Sequence, residues 1–187
     1  LGGILADDMG LGKTVQVLAL LAQAIAEHEQ RADHTEFAPF LVVAPTSVVG
    51  NWAQEAARFV PGAKVVTITE STSKSGKSIA ELVQGAHLVL TSYALFRLDE
   101  DGYTEFGNHV PENAEKSTSP HAGWGALILD EAQFVKNTKT RAWKVARALN
   151  AQVKLAITGT PMENNLMELW ALLAIVADGL FPSARIF

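Results

Sequence analysis

The chain has 187 residues, 48% of them hydrophobic and 19% charged, with no cysteine. That is enough for one full-sized domain with a real core and too little for two; without cysteine, a disulfide framework or a thiolate zinc site is excluded. No apolar run reaches the roughly 18 residues of a membrane span, and the net charge of −5 argues at first against a nucleic-acid partner. The chain begins at Leu1 rather than at Met and is read as a fragment, so a missing leader carries no weight.

The distribution of charge changes that first impression. Leu98–Gly123 holds Asp99, Glu100, Asp101, Glu105, Glu112 and Glu115 against the single Lys116, which accounts for the whole imbalance. The remaining 14 acids and 14 bases cancel. From Ala132 to Met162 there are six bases (Lys136, Lys139, Arg141, Lys144, Arg147, Lys154) and no acid. A local stripe of this kind is a better guide to partners than the total.

Apolar runs alternate with helical patterns along the chain. Ile4–Ala6 leads into a Gly-rich loop, and Val15–His28, dense in strong helix formers, predicts a helix. Phe40–Ala44 reads as a buried strand ended by Pro45, and Val48–Phe59 as a helix. Strand Lys64–Thr69, short helix Ile79–Gln84, strand His87–Leu90 and a short helix near Tyr93–Phe96 follow. Strand Ala126–Leu129, helix Thr140–Leu149, strand Lys154–Ile157 and helix Leu166–Val176 complete the series. Glu29–Phe37 and Ser71–Ser78 are polar connectors. Leu98–Gly123 reads as an acidic insertion, mobile or only locally helical. Short apolar strands alternating with helices predict an α/β fold with a parallel sheet covered on both faces. In such sheets ligands bind outside the carboxyl ends of the strands.

Asp7-Asp8-Met9-Gly10-Leu11-Gly12-Lys13-Thr14 follows a strand and opens a helix, as a P-loop does. Gly10 and Gly12 let backbone N–H groups turn onto a phosphate, and the helix adds its positive end. Lys13 would reach the β/γ-phosphates, and the Thr14 hydroxyl would ligate Mg²⁺. The bland alternative is a Gly-rich turn with a surface lysine, which the strand before and the helix after disfavour. Asp7 takes the place of the first Gly in the usual pattern, an ordinary departure in helicase-type motors. Asp130-Glu131-Ala132-Gln133 follows the apolar strand Ala126–Leu129. A carboxylate there suits Mg²⁺: Asp130 would hold the ion through water, and Glu131 would orient or deprotonate the attacking water. Alone, an Asp-Glu pair would be read as an acidic loop.

Five blocks in order resemble the Swi/Snf family of helicase-type ATPases. They are Gly3–Thr14; Leu41–Ser47 running into Asn51-Trp52 and Glu55; Leu90-Thr91-Ser92-Tyr93; Asp130–Gln133 with Lys136-Asn137; and Thr158-Gly159-Thr160-Pro161 with Asn164, Leu166 and Glu168-Leu169-Trp170. They span Gly3 to Leu172. The resemblance implies a three-layer αβα, RecA-like P-loop NTPase lobe with a mostly parallel sheet, using ATP and Mg²⁺ and acting on double-stranded DNA. It implies that Gln133, Thr158, Gly159 and Thr160 couple the nucleotide state to the DNA side. Thr46, Ser47, Thr91 and Ser92 would touch the DNA backbone, a contact that carries no base information. Each of these hydroxyls also precedes a helical run and can cap it; the two roles are compatible.

Arg141, Lys144 and Arg147 recur on one helical face, a solvated face or one turned to DNA or a partner. Trp52 and Trp170 read as core or lobe-interface packing. The five histidines are scattered and suggest no metal cluster. The family motor has two such lobes, and the second supplies arginine to the transition state. Residues 1–187 hold the motifs of one lobe and are expected to form a single lobe that hydrolyses ATP poorly alone, the second lobe being expected beyond Phe187. A nucleoprotein or transcription complex is a candidate target and a membrane is not expected. A motor lobe in a restriction or nuclease assembly, or a nucleotide-gated DNA clamp, are the competing readings. The site of action would be nuclear in a eukaryote and nucleoid-associated in a bacterium; lacking chromatin-reader sequence, the reading leans bacterial.

Overall fold

The computed structural model describes residues 2–6, 10–32, 35–109, 123–159 and 166–177. Six strands form one sheet: β1 Gly2–Ala6, β2 Phe40–Ala44, β3 Val65–Thr67, β4 Leu88–Ser92, β5 Trp124–Leu129 and β6 Ala151–Thr158. The helices are α1 Gly10–Glu29, α2 Thr46–Phe59, α3 Thr72–Ser75, α4 Ile79–Leu82, α5 Tyr93–Leu98, α6 Glu100–Gly107, α7 Arg141–Ala148 and α8 Leu166–Val176, with a 3-10 turn at Ala132–Val135. The strand order is β1-β6-β5-β2-β4-β3, and every described pairing is parallel.

The apolar runs of the sequence explain this arrangement. Every residue of β2 and of β4 is buried, as expected of strands covered on both faces. One face carries α1 and α2: Val17, Leu18, Leu21, Trp52 and Ala56 pack on Phe40, Val42, Leu88, Leu90 and Ile128. The other carries α4 to α8: Ile79, Phe96, Tyr103, Trp143 and Ile175 pack with Leu41, Val43, Val89, Leu127 and Leu129. Full burial contributes about 1.5–3 kcal/mol for each large apolar side chain. The two layers therefore hold the sheet from both sides.

The acidic stretch is locally helical where it is described. Its first half is α6, a helix whose Tyr103 is fully buried. A Cβ added at Gly102 would fall 2.7 Å from Cγ1 of Ile79, so α6 lies close against α4. Two of its acids have partners outside the core. Asp99 accepts the amide and the hydroxyl of Thr72, at 3.0 and 2.7 Å, and Glu100 pairs with Arg141. Gly123 lies against the end of α6, because a Cβ at Gly123 would lie 2.3 Å from the Gly107 carbonyl oxygen. Residues 110–122 lie outside the described residues.

The basic stripe is partly satisfied within the fold. Arg141 meets Glu100, and the Arg147 guanidinium lies 5.2 Å from the centre of the Trp143 ring. Lys144 is exposed. The polar connector Ser71–Ser78 also holds structure. Ser71 caps α3, and Ser78 with Glu81 forms a reciprocal capping box on α4. No described helix is long and apolar enough to cross a membrane.

Candidate nucleotide site at the carboxyl edge of the sheet

Strand order decides which motifs meet. The loop after β1, the acidic box after β5 and the coupling segment after β6 lie on three adjacent strands, with β6 between the other two. Ala6 is level with Thr158, and Leu129 with Ala156. Leu129 pairs with Val43 and Ala44 with Ser92, so Asp130 and Ser92 flank the end of β2. Among the described residues, the buried polar or charged ones are Lys13, Thr91, Ser92, Asp130 and Thr158. All five are at this edge. Burying such groups is costly unless each is paired, so their concentration here marks a built site.

Lys13 and Thr14 fall in the first turns of α1, which begins at Gly10, earlier than the helical pattern alone indicates. Lys13 is only 3% exposed, and its Nζ donates to the Thr158 carbonyl at 3.1 Å. Thr14 is half-buried. No described atom lies within 4 Å of where a Cβ on Gly12 would be. Internal packing therefore does not demand glycine there, and the open space is what a phosphate approaching backbone N–H groups requires. Gly10 and Leu11 belong to the same helix. Asp7, Asp8, Met9 and Thr160 lie outside the described residues, while Gly159 directly follows β6.

Asp130 is held on all sides. Its Oδ2 accepts the indole N–H of Trp52 at 2.7 Å, and its Oδ1 accepts the Glu131 amide at 2.8 Å. The Tyr93 hydroxyl donates to its backbone carbonyl at 2.6 Å. Burial pushes the Asp130 carboxyl above the usual aspartate range, and the Glu131 charge adds to this. The Trp52 and Glu131 hydrogen bonds and the Lys13 charge act the other way. A cation beside this carboxylate would relieve that penalty. Burial, followed by the Asp130 and Glu131 charges, raises the Tyr93 phenol well above its ordinary value, so it stays a donor.

Glu131 has a left-handed backbone, φ 49° and ψ 55°. For a residue with a side chain that conformation costs about 1–3 kcal/mol. It turns the chain sharply out of β5 into the 3-10 turn. Gln133 Nε2 donates to Glu131 Oε2 at 2.6 Å, while its Oε1 accepts the Thr158 hydroxyl at a longer 3.4 Å. One amide thus bridges the carboxylate proposed to handle water and the segment proposed to couple. No group of three or more His, Asp or Glu suited to a metal occurs among the described residues. A Mg²⁺ held by Asp130 and Thr14 would therefore complete its shell with phosphate oxygens and water, as this ion commonly does.

The hydroxyls assigned to DNA separate into two kinds. Thr46 and Ser47 are exposed in the first turn of α2, whose N-terminus has no side-chain cap. Ser92 is buried and caps α5, accepting from the Leu95 amide at 3.2 Å. Thr91 is fully buried, and the Tyr103 hydroxyl donates to its Oγ1 at 3.0 Å. In this arrangement the Thr91 side chain does not reach the surface; its oxygen is occupied by the acidic helix. Trp52 is core, as its apolar neighbours indicate, yet its N–H is on the proposed metal carboxylate. Sequence reasoning missed that link. It also gave Tyr93 and Tyr103 no role. The available signal was that a buried Trp or Tyr must find a partner for its polar atom; sequence does not name the partner.

Residues 1–187 match the SNF2-related domain family. The chain belongs to this family. It is 38% identical over 197 residues to the chromatin-remodeling ATPase INO80 of Cryptococcus neoformans, covering 100% of this chain and 10% of that protein. It is 36% identical over 186 residues to Helicase SWR1 of Candida albicans, covering 98% of this chain and 10% of that one. Among solved structures, the Sulfolobus solfataricus SWI2/SNF2 ATPase core in complex with dsDNA superposes with a TM-score of 0.72 at 31% identity. That match covers 96% of this chain and 32% of the other. The chain thus spans about a tenth of these curated relatives. The RecA-like αβα fold expected from the resemblance is the fold of the SNF2 ATPase core. The two curated relatives are eukaryotic proteins, so the lean toward a bacterial source has no support from them.

Proposed function

We propose that residues 1–187 are the ATP-binding lobe of a two-lobed SNF2 motor that hydrolyses ATP in response to duplex DNA. The cycle would move the protein along the duplex and shift or displace bound protein. The observation that carries this reading is the grouping of Lys13, Asp130 and Thr158, all buried at the carboxyl edge of three adjacent strands, with Lys13 on the Thr158 carbonyl.

Each residue then has a task. Gly10, Gly12 and the start of α1 receive the phosphates, with Asp7, Asp8, Met9 and Leu11 completing the loop. Lys13 leaves the Thr158 carbonyl for the β/γ-phosphates. That exchange tells the segment Thr158-Gly159-Thr160 that nucleotide is present. Thr14 and Asp130 would hold Mg²⁺, which neutralises phosphate charge when bound. Glu131 orients or deprotonates the attacking water, held in place by Gln133. Thr46 and Ser47, in the first turn of α2, receive backbone phosphates of the duplex. The second lobe of the same full-length chain would close the cleft and supply arginine, worth about 10³–10⁵ in rate in comparable NTPases. The isolated lobe is accordingly expected to turn over ATP slowly. The similarity to the chromatin-remodeling ATPase INO80 favours remodelling over a nuclease assembly, and the complete set Lys13, Thr14, Asp130 and Glu131 favours turnover over a passive clamp.

The test uses the full-length protein. ATPase rate is measured without nucleic acid, then with single-stranded DNA, duplex DNA and RNA. Stimulation by duplex that vanishes in Lys13→Ala is expected. Stimulation by RNA alone, or activity surviving Lys13→Ala, overturns the reading. Fast turnover by residues 1–187 alone overturns the need for a second lobe.

A further inference from the structure

The indole N–H of Trp52 has a task beyond packing. Trp52 is fully buried, so its N–H needs an internal acceptor. The acceptor is Asp130 Oδ2 at 2.7 Å, across 78 residues of chain. This is the length of a charge-assisted hydrogen bond, stronger than a neutral one. The other carboxylate oxygen, Oδ1, accepts the Glu131 amide. With one donor on each oxygen, both rotation of the carboxylate and direct bidentate capture of an ion are opposed. The remaining lone pairs are left for a water in the coordination shell of an ion. Nothing else among the described side-chain hydrogen bonds fixes the rotation of this carboxylate, because Tyr93 holds only the backbone carbonyl.

We propose that Trp52 is a positioning residue for Mg²⁺ recognition: its N–H locks the Asp130 carboxylate in the orientation that receives the hydrated ion of a Mg–nucleotide. This deepens the functional reading above and rests on Asp130 being the metal carboxylate. Removing an outer-shell partner of this kind typically costs about 10–100-fold in metal affinity.

The experiment titrates Mg²⁺ against a fluorescent ADP analogue bound to the full-length protein, with an EDTA arm. The decisive variant carries 3-benzothienylalanine at position 52, which keeps the shape of the ring and replaces the N–H by sulfur. Trp52→Phe is its genetically simple companion, and Leu21→Ala is the control for lost packing in the same core layer. In the benzothienyl variant the Mg²⁺ midpoint should rise about tenfold or more, while binding in EDTA and the melting temperature stay near wild type. Leu21→Ala should melt earlier with its Mg²⁺ midpoint unmoved. An unchanged midpoint in the benzothienyl variant overturns the proposal, as does an equal shift in Leu21→Ala. Should the wild type not respond to duplex DNA in the ATPase assay, the motor reading fails on its own, and this titration still decides the role of Trp52.

Discussion

The carboxyl edge of the sheet has two unlike halves. At the ends of β1, β6 and β5 the polar groups are buried and already paired with one another. At the end of β2, Thr46 and Ser47 are exposed on an uncapped helix start. The difference follows from the two tasks proposed for them. Phosphoryl chemistry gains from fixed dipoles and charges in a site that excludes water. A grip on a duplex backbone needs access and recurs at every step, so exposed hydroxyls and amides suffice. β4 belongs to neither extreme: Ser92 caps α5 and Thr91 is tied to Tyr103. Trp52 and Tyr93 cross between the halves, both ending on Asp130.

Four variants test how separate the halves are, in order of expected effect. Glu131→Gln should lower duplex-stimulated ATP hydrolysis by about 10²–10⁴-fold while duplex affinity, read by fluorescence anisotropy, holds. A parallel loss of duplex affinity would merge the two halves. The pair Thr46→Glu and Ser47→Glu should do the reverse. The duplex concentration for half-maximal stimulation should rise by on the order of tenfold, the equivalent of one lost charged hydrogen bond, with the basal rate kept. Thr91→Val separates structure from DNA contact. It leaves the Tyr103 hydroxyl without its buried acceptor, at about 1–3 kcal/mol, roughly 3–10 °C in melting temperature. Duplex affinity should not move; a clear fall there would return Thr91 to the DNA side. The smallest effect is expected of Arg141→Ala. Its pair with Glu100 is exposed on the arginine side and such pairs contribute about 0–1 kcal/mol. If duplex binding weakens instead, the stripe on α7 faces DNA.

Much of this was legible beforehand for local reasons. Phe40–Ala44 and Leu88–Leu90 are apolar without alternation, which only a strand buried on both faces tolerates. Gly-Lys-Thr between a strand and a helix is a short-range signature. The residues hardest to read were those whose local appearance misleads. The six acids of Leu98–Gly123 allowed no more than a local helix to be read there, because composition averages over α6, whose Tyr103 is buried and where Asp99 and Glu100 have partners on other elements. Thr91 and Ser92 look alike in sequence as hydroxyls at a strand end. One is committed to Tyr103 and the other to a helix start, and neither partner can be inferred from spacing.

The sequence by itself determined the family and the alternation of strands and helices, and it singled out Lys13, Thr14, Asp130 and Glu131 as the chemical set proposed here. Each strand, helix and motif block is legible from residues within a few positions of one another, and the family from the order of those blocks. Only the tertiary structure decided that β6 lies between β1 and β5, that Lys13 rests on Thr158, and that a tryptophan of α2 holds the carboxylate after β5. Those depend on pairings across 78 and 145 residues of chain. Strand order and buried hydrogen bonds at such separations are chosen by packing of the whole sheet, which no local pattern encodes.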